Sequence, residues 1–301
     1  MSKPAPSREG ITAVIPLRDA AGVLEKYLPQ WADALAKLGR DYEIIAVNDG
    51  STDATRDVLE KLAAGRVKNL TVLHHDSPKG FGACLRTALP QVKQPLLFYT
   101  SPDYPYSPQD LPKLLERISI RDAILNKQAD LISGCRTGTA APSHFAAIGK
   151  AWRLLCRGLL GLQLEAPPAW LGVRGTLYRW FAKFTFGVPL ADVNSKFKLF
   201  RTAFLCRFPL QSDSDFIHTE LVAKATFLTS IMDEVPLTPV AAAPPPSSFR
   251  GDFWRVFQNP DFGNPTARTP IEPSATAPVA PAPETPPAAP DQPPVALSFI
   301  G

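Results

Sequence analysis

Apolar runs alternate with helical spacings through the first half of this chain. Ile11 to Leu17 (ITAVIPL) reads as a strand, ended by Pro16 and the polar pair Arg18-Asp19. From Ala20 to Leu38, Val23, Leu24, Tyr27, Leu28, Trp31, Leu35 and Leu38 recur on one side of a predicted helix. Ile44 to Val47 is a second continuous run, broken by Asn48-Asp49-Gly50, and Ser51 or Asp53 can cap a helix over Asp53 to Ala63. Strands follow at Leu70 to His74 and Leu96 to Thr100, separated by a helix that Gly80 and Gly82 open and that runs through Leu89. A helix from Pro108 to about Leu125 and a strand from Ala129 to Ser133 continue the alternation. Runs that are apolar throughout, rather than at every second position, suit strands covered on both faces. The β-α-β-α order with short links therefore predicts an α/β fold, a mainly parallel sheet with helices on both faces, Rossmann-like in its first half.

That architecture gives the strand ends a meaning. In open α/β sheets, ligands sit at the carboxyl edge. Asp49 ends one strand there, in a stretch (EIIAVNDGSTDAT) that serves equally as a ligand-holding turn or as a plain βα turn. Thr100 to Leu111 follows another strand, and Pro102, Pro105 and Pro108 impose an extended loop that presents Asp103 at the same edge. Two carboxylates there suit Mg²⁺ or Mn²⁺ bridging a diphosphate, while the plain alternative is that Asp103 stabilises a turn. No GxGxxG follows the first strand and no GxxxxGK[ST] occurs, which argues against a dinucleotide cofactor and a P-loop.

The second half changes character. Ala141 to Ala191 carries Lys150, Arg153, Arg157, Arg174, Arg179 and Lys183, with Trp152, Trp170, Tyr178, Trp180, Phe181, Phe184 and Phe186 interleaved. Two amphipathic helices are predicted, Ala151 to Leu164 and Thr176 to Phe186, suited either to a membrane interface or to packing on the sheet with solvated arginines. Asp192 to Arg201 (DVNSKFKLFR) is a loop-to-strand element, Phe216 to Phe227 a helix and Ser230 to Leu237 a last strand. Of 33 prolines, 17 lie from Pro236 onward, so residues 241–301 are expected to form a largely disordered tail holding one aromatic island, Asp252 to Phe257. The expected organisation is a flexible N-terminus at 1–10, a single domain at 11–240 with a helical insert at 141–191, and the tail.

Composition narrows the partners. A net charge of +4 over 301 residues argues against nucleic acid. Four separated cysteines without a CxxC pair indicate neither a zinc site nor a disulfide framework. No signal peptide and no run of about 18 apolar residues is present, so a cytoplasmic protein is expected, touching a membrane at most from that side.

The ordered motifs VIPL, VNDGSTD, KGFGACLRTAL, YTSPDYPYSPQDL, DLISGCR, DVNSKFKLFR, ELVAKA and DEVPL resemble a family 2 glycosyltransferase of the polyprenyl-phosphate (dolichol-phosphate mannosyltransferase-like) type, from about Ile11 to Leu237. The resemblance implies a glycosyltransferase-A fold, a nucleotide-sugar donor, Mg²⁺ or Mn²⁺, and a polyprenyl-phosphate or related acceptor. It implies donor-side roles for Pro16, Asp19, Asp49, Lys79, Ser101, Asp103 and Arg136. Asp103 would also hold the metal, Asp103, Asp192 and Lys198 would serve the chemistry, and Lys198, Arg201 and Glu220 would face the acceptor. The chain departs from the pattern at Ser101, where the first aspartate of D-x-D stands in the family, and at Ala20, Pro78 and Pro105. Lys79, Arg86, Arg136 or Lys198 would then supply positive charge, or the domain has kept its fold without its chemistry.

Overall fold

The computed structural model describes residues 9–103, 106–122, 124–137, 154, 157, 172–238 and 250–263. Among the described residues, seven strands form one sheet: β1 (Ile11–Leu17), β2 (Tyr42–Asp49), β3 (Leu70–His75), β4 (Leu96–Tyr99), β5 (Leu131–Arg136), β6 (Lys198–Arg201) and β7 (Met232–Leu237). Their order across the sheet is β3-β2-β1-β4-β6-β5-β7. Every pairing is parallel except those of β6, which runs antiparallel between β4 and β5. The chain steps outward from β1 through β2 to β3, then returns to place β4 on the other side of β1. The crevice at the carboxyl ends of β1 and β4 is thus a topological switch point, where such sheets hold ligands.

Helices α1 (Ala21–Lys37), α2 (Thr55–Lys61), α3 (Phe81–Ala88), α4 (Leu111–Ser119), α5 (Gly172–Phe186), α6 (Ile217–Phe227) and α7 (Arg250–Gln258) cover both faces. Two apolar cores result. Val14, Ile45, Val47 and Tyr99 pack on α3, α5 and α6, while Ala13, Ile15, Ile44 and Phe98 pack on α1, α2 and α4. Neighbouring residues of one strand thus serve opposite cores, which is why the runs are apolar throughout. Trp31, fully buried on α1, lies 5.2 Å from the ring of Phe98 and 6.1 Å from that of Phe197.

The sequence-based elements shift in several places. The helix expected from Pro108 to Leu125 begins as a single 3-10 turn, Pro108–Asp110, and its α-helical part ends at Ser119. The carboxylate of Asp122 accepts the backbone N–H groups of Ile124 (2.9 Å) and Leu125 (2.7 Å), a side-chain turn that competes with the helix. Residues 192–197 form a loop, and only 198–201 of that element are a strand. The helix expected at 151–164 lies outside the described residues, apart from 154 and 157.

Residues 250–258 of the expected tail form α7, which docks on the domain. Phe253 sits 5.0 Å from the ring of Phe181 and 5.9 Å from that of Phe216, and Val256 is buried in the core. The aromatic island thus packs on the globular domain.

Candidate functional site at the carboxyl edge of the sheet

Three loops meet where β1, β2 and β4 end. The turn after β2 is forced by sequence: Gly50 has a φ of +59°, and a Cβ there would lie 2.4 Å from the carbonyl carbon of Ser77. Asn48 Oδ1 accepts from the hydroxyl of Ser51 at 2.5 Å. Asp53 accepts the N–H of Ala21 at 3.1 Å and that of Thr55 at 3.0 Å, so one carboxylate serves the first turns of both α1 and α2. Asp19, with a φ of +47°, takes the N–H of Thr52 at 2.8 Å on Oδ1 and donates its own N–H to Ser51 Oγ at 2.9 Å. The loops after β1 and β2 are therefore stitched into one surface.

Asp49 lies beneath that surface, 6% exposed. Its Oδ1 is 2.8 Å from Nδ1 of His75 and accepts the N–H of Lys79 at 2.8 Å, while its Oδ2 accepts the N–H of Gly80 at 2.8 Å. Burial pushes this carboxyl up, but the His75 hydrogen bond and the two backbone N–H groups outweigh it and hold it below the ordinary range. Asp49 thus fixes the glycine loop that starts α3. That loop is closed from the other side: the Asp213 carbonyl accepts the N–H groups of Gly82 (2.8 Å) and Ala83 (3.2 Å). Gly80 has a φ of +104°, and a Cβ on it would meet that same carbonyl at 2.4 Å.

Asp49, His75 and Cys84 bring three ligand-type atoms within 4.8 Å of one another. Both imidazole nitrogens are already engaged, Nε2 lying 2.9 Å from Thr87 Oγ1, and burial pushes the Cys84 thiol far up. This group is a hydrogen-bonded support for the loop.

At the end of β4, the Ser101 hydroxyl is buried and directed at the Pro16 carbonyl (3.4 Å), joining the β4 and β1 ends. Asp103 projects further, its side chain 46% exposed, and accepts a hydrogen bond of 3.0 Å from Lys196 Nζ. Lys196 is also 3.6 Å from Asp215 Oδ2 and 5.3 Å from the centroid of the Phe81 ring. The Asp103 position therefore holds one carboxylate already paired with an ammonium, next to a neutral hydroxyl. That donor set does not fit a divalent cation, which needs several hard oxygen ligands.

Arg136, at the end of β5, donates from Nε to Asp192 Oδ2 and from Nη2 to Asp192 Oδ1, both at 2.8 Å, a two-point ion pair with a carboxylate only 1% exposed. The N–H groups of Ala191 and Asp192 donate to Glu234 at 2.8 and 2.9 Å, and burial raises the pKa of Glu234. Asp192 was expected in the chemistry; the structure commits its carboxylate to Arg136.

The residues expected on the acceptor side are all engaged within the chain. Lys198 is fully buried, and its ammonium donates to the carbonyls of Val193 (3.0 Å) and Ser195. Burial pushes its pKa down to about 7. Glu220 is buried too, accepting the N–H groups of Gln211 (2.8 Å) and Ser212 (2.7 Å) and paired with Lys224 Nζ at 2.7 Å. Because β6 is antiparallel to β4, Lys198 lies opposite Tyr99 at the carboxyl edge and Arg201 opposite Leu96 at the other edge. There Arg201 pairs with Glu9 (3.0 Å) and donates to Gln128 (2.6 Å). None of the three presents its charged group to a ligand at this edge; Lys198 and Glu220 hold loops 193–195 and 211–212.

Residues not expected from the sequence complete the edge, together with Arg86, which was expected only as a source of positive charge. Besides Lys196 and Asp215 these include His218, whose Nδ1 is 2.8 Å from the Tyr99 hydroxyl and whose ring is 4.6 Å from that of Phe81. Burial and then the charges of Lys198 and Lys196 keep His218 neutral, well below its usual pKa. Arg86 pairs with Asp213, which Arg255 of α7 also meets at 3.2 Å. Lys196 is one of two lysines in DVNSKFKLFR, and the alternation of that element did not say which would stay at the surface.

Against this geometry the comparisons with known proteins are informative. Residues 12–174, more than half of the chain, match the family described as glycosyl transferase family 2. The chain belongs to glycosyl transferase family 2. The match spans all the loops of the switch point, and the sheet is the glycosyltransferase-A fold. The chain is similar to the undecaprenyl-phosphate 4-deoxy-4-formamido-L-arabinose transferase of Klebsiella pneumoniae, 25% identical over 112 residues, which are 37% of this chain and 34% of that protein. The Pseudomonas aeruginosa protein of the same name is 27% identical over 107 residues, 36% of this chain and 32% of that one. The chain thus matches about a third of the length of these curated relatives. Among solved structures, it is similar in fold to glucosyl-3-phosphoglycerate synthase from Mycobacterium tuberculosis in complex with Mn²⁺, uridine diphosphate and glucosyl-3-phosphoglycerate. The TM-score there is 0.51 at 17% identity, covering 83% of this chain and 77% of the other.

Proposed function

We propose that this protein binds a nucleoside-diphosphate sugar across the carboxyl ends of β1, β2 and β4 and transfers the sugar to a polyprenyl phosphate. The observation that carries the reading is the rigid surface at the switch point. Asp49 locks the glycine loop, Asp19 and Asp53 lock the neighbouring turns, and Ser101 ties the β4 loop to Pro16. Pre-set backbone of this kind orients a donor without ordering cost at the moment of binding. Solved structures of this fold that hold uridine diphosphate support the donor class, and the undecaprenyl-phosphate relatives support the acceptor class. A phosphate oxygen of the acceptor forms a bond to the anomeric carbon as the bond to the diphosphate breaks. The nucleoside diphosphate leaves with that electron pair, and cations near its oxygens stabilise it. Pro16, Asp19, Asp49, Lys79, Ser101 and Asp103 form the donor side. The Arg136–Asp192 pair bounds the site towards β5, and Lys198 and Glu220 act as positioning residues.

A surface placement at the cytoplasmic face of a membrane goes with this reading. No described helix is long and apolar enough to cross a membrane. The packed helices α5 and α7 expose Leu177 (66%), Phe184 (74%), Trp254 (56%) and Phe257 (47%), an interfacial set of side chains.

One observation favours a second reading. Asp103 and Asp192, the carboxylates expected to serve the chemistry, are each paired with a cation of the chain itself. A protein that binds a nucleotide sugar without transferring it would look the same. Incubating the protein with nucleotide sugars and polyprenyl phosphates decides between them: lipid-linked sugar supports transfer, donor binding without product supports the second reading, and neither rejects both.

A further inference from the structure

Asp103, Lys196, Asp215 and Phe81 come from four separate segments: the loop after β4, the loop before β6, the loop before α6 and the start of α3. They converge on one point, and the group at that point is the ammonium of Lys196. Its distances are 3.0 Å to Asp103, 3.6 Å to Asp215 and 5.3 Å to the Phe81 centroid, with only 14% of the lysine side chain exposed. Two carboxylates and a ring face converging on one position describe a cation site. Lys198, anchored beneath on the Val193 and Ser195 carbonyls, holds the loop that delivers Lys196. Asp215 is set in the segment that α7 braces, Asp252 accepting the N–H of Ser214 at 2.7 Å.

We propose that Lys196 permanently fills the cation position between Asp103 and Asp215, so that the chain itself supplies the positive charge a divalent metal would bring to this edge. The consequence for a nucleoside diphosphate rests on the function proposed above; the occupancy of the position does not. A dication placed beside an ammonium is repelled even at the dielectric of bulk water, and several times more strongly near a protein surface. The remaining ligand on offer, the Ser101 hydroxyl, is neutral and directed at the Pro16 carbonyl. A metal can enter only by expelling Lys196. Removing the lysine charge leaves Asp103 and Asp215 facing an unfilled position, and the site then gains affinity for a divalent cation.

The test uses the full chain, Lys196→Met, Lys196→Ala and the double variant Lys196→Met/Asp103→Asn. The methionine keeps the stem that packs on Phe81, and circular dichroism checks the fold of each variant. Free Mn²⁺ is followed by electron paramagnetic resonance without nucleotide. Wild type should leave the Mn²⁺ signal unchanged, the single variants should bind the ion at least about tenfold more tightly, and the double variant should lose that gain. Calorimetry with uridine diphosphate, in EDTA or Mn²⁺, gives the second arm. Wild-type affinity should be the same in both, whereas Lys196→Met should bind weakly in EDTA and recover with Mn²⁺. Wild type that takes up Mn²⁺ without nucleotide, or single variants that gain none, overturn the proposal. Absence of uridine diphosphate binding in every condition counts against the donor reading alone, because the Mn²⁺ arm still decides the occupancy of the site.

Discussion

Asp49 and Lys198 show what burial does to charge at this site. Asp49 gains hydrogen bonds that exceed the cost of burying it, so its folded pKa lies below the unfolded one. Its contribution to stability is therefore present above the ordinary carboxylate range and fades as pH falls through the lower, folded value. Asp49→Asn should cost about 2 to 4 kcal/mol in urea unfolding at pH 7, since an amide cannot accept from His75, Lys79 and Gly80 together. The gap to wild type should narrow in acid, and a gap that stays constant to pH 2 contradicts this account. Lys198 has the opposite sign. With a folded pKa of about 7, it is neutral in the native state above that pH, while the unfolded chain still binds the proton. Wild-type stability relative to Lys198→Met should therefore rise by about 2 kcal/mol between pH 7 and pH 9. A flat difference would mean that Lys198 stays charged. Asp49 was legible in the sequence because a βα turn fixes where its side chain goes. Lys198 was legible only as a charge: its anchoring carbonyls at Val193 and Ser195 belong to a loop whose path follows from tertiary packing. Lys196 escaped for the same reason, since Asp103 and Asp215 lie far from it along the chain.

The elements divide along similar lines. Helices and strands up to β4 follow apolar spacing closely, because β1, β2 and β4 are buried on both faces and each helix buries one side. Beyond β4 local chemistry intervenes, as at Asp122, whose side-chain turn ends the region expected to be helix. α7 is the clearest departure: a proline-rich context concealed a helix whose Val256 is buried in one of the two cores, against which Phe253 packs. Asp252 of α7 accepts the N–H groups of Asp213 (3.2 Å) and Ser214 (2.7 Å), so the helix braces the segment that carries Asp215. Phe253→Ala should lower stability by about 2 to 3 kcal/mol. Asp252→Ala should speed amide hydrogen exchange at Asp213 and Ser214 more than in β1, whereas equal effects at both would show that α7 does not brace the loop locally.

Across the whole molecule, a single sheet faces two cores, and its carboxyl edge gathers charged residues that pair with one another. α5 and α7 add an apolar, aromatic and basic surface on one side. Flotation with anionic vesicles should carry the protein at low salt and release it partly at high salt, and Phe184→Ser with Trp254→Ser should weaken binding about tenfold. A protein that stays in the bottom fraction at low salt rules out the interfacial reading. The family was legible from motif order alone. The state of the site was not, because pairing between Arg136 and Asp192, and between Lys196 and Asp103, is decided by how β5, β6 and the loop after β4 meet in space.

The central claim is that this edge performs glycosyl transfer with a cation built into the chain. Its most direct test is formation of lipid-linked sugar from a panel of nucleotide sugars and polyprenyl phosphates, run in EDTA and in Mn²⁺ with wild type and Lys196→Met. The account predicts product from wild type at equal rates in both conditions, and from Lys196→Met only with Mn²⁺. Wild-type product that disappears in EDTA, or no product from any donor, would contradict it.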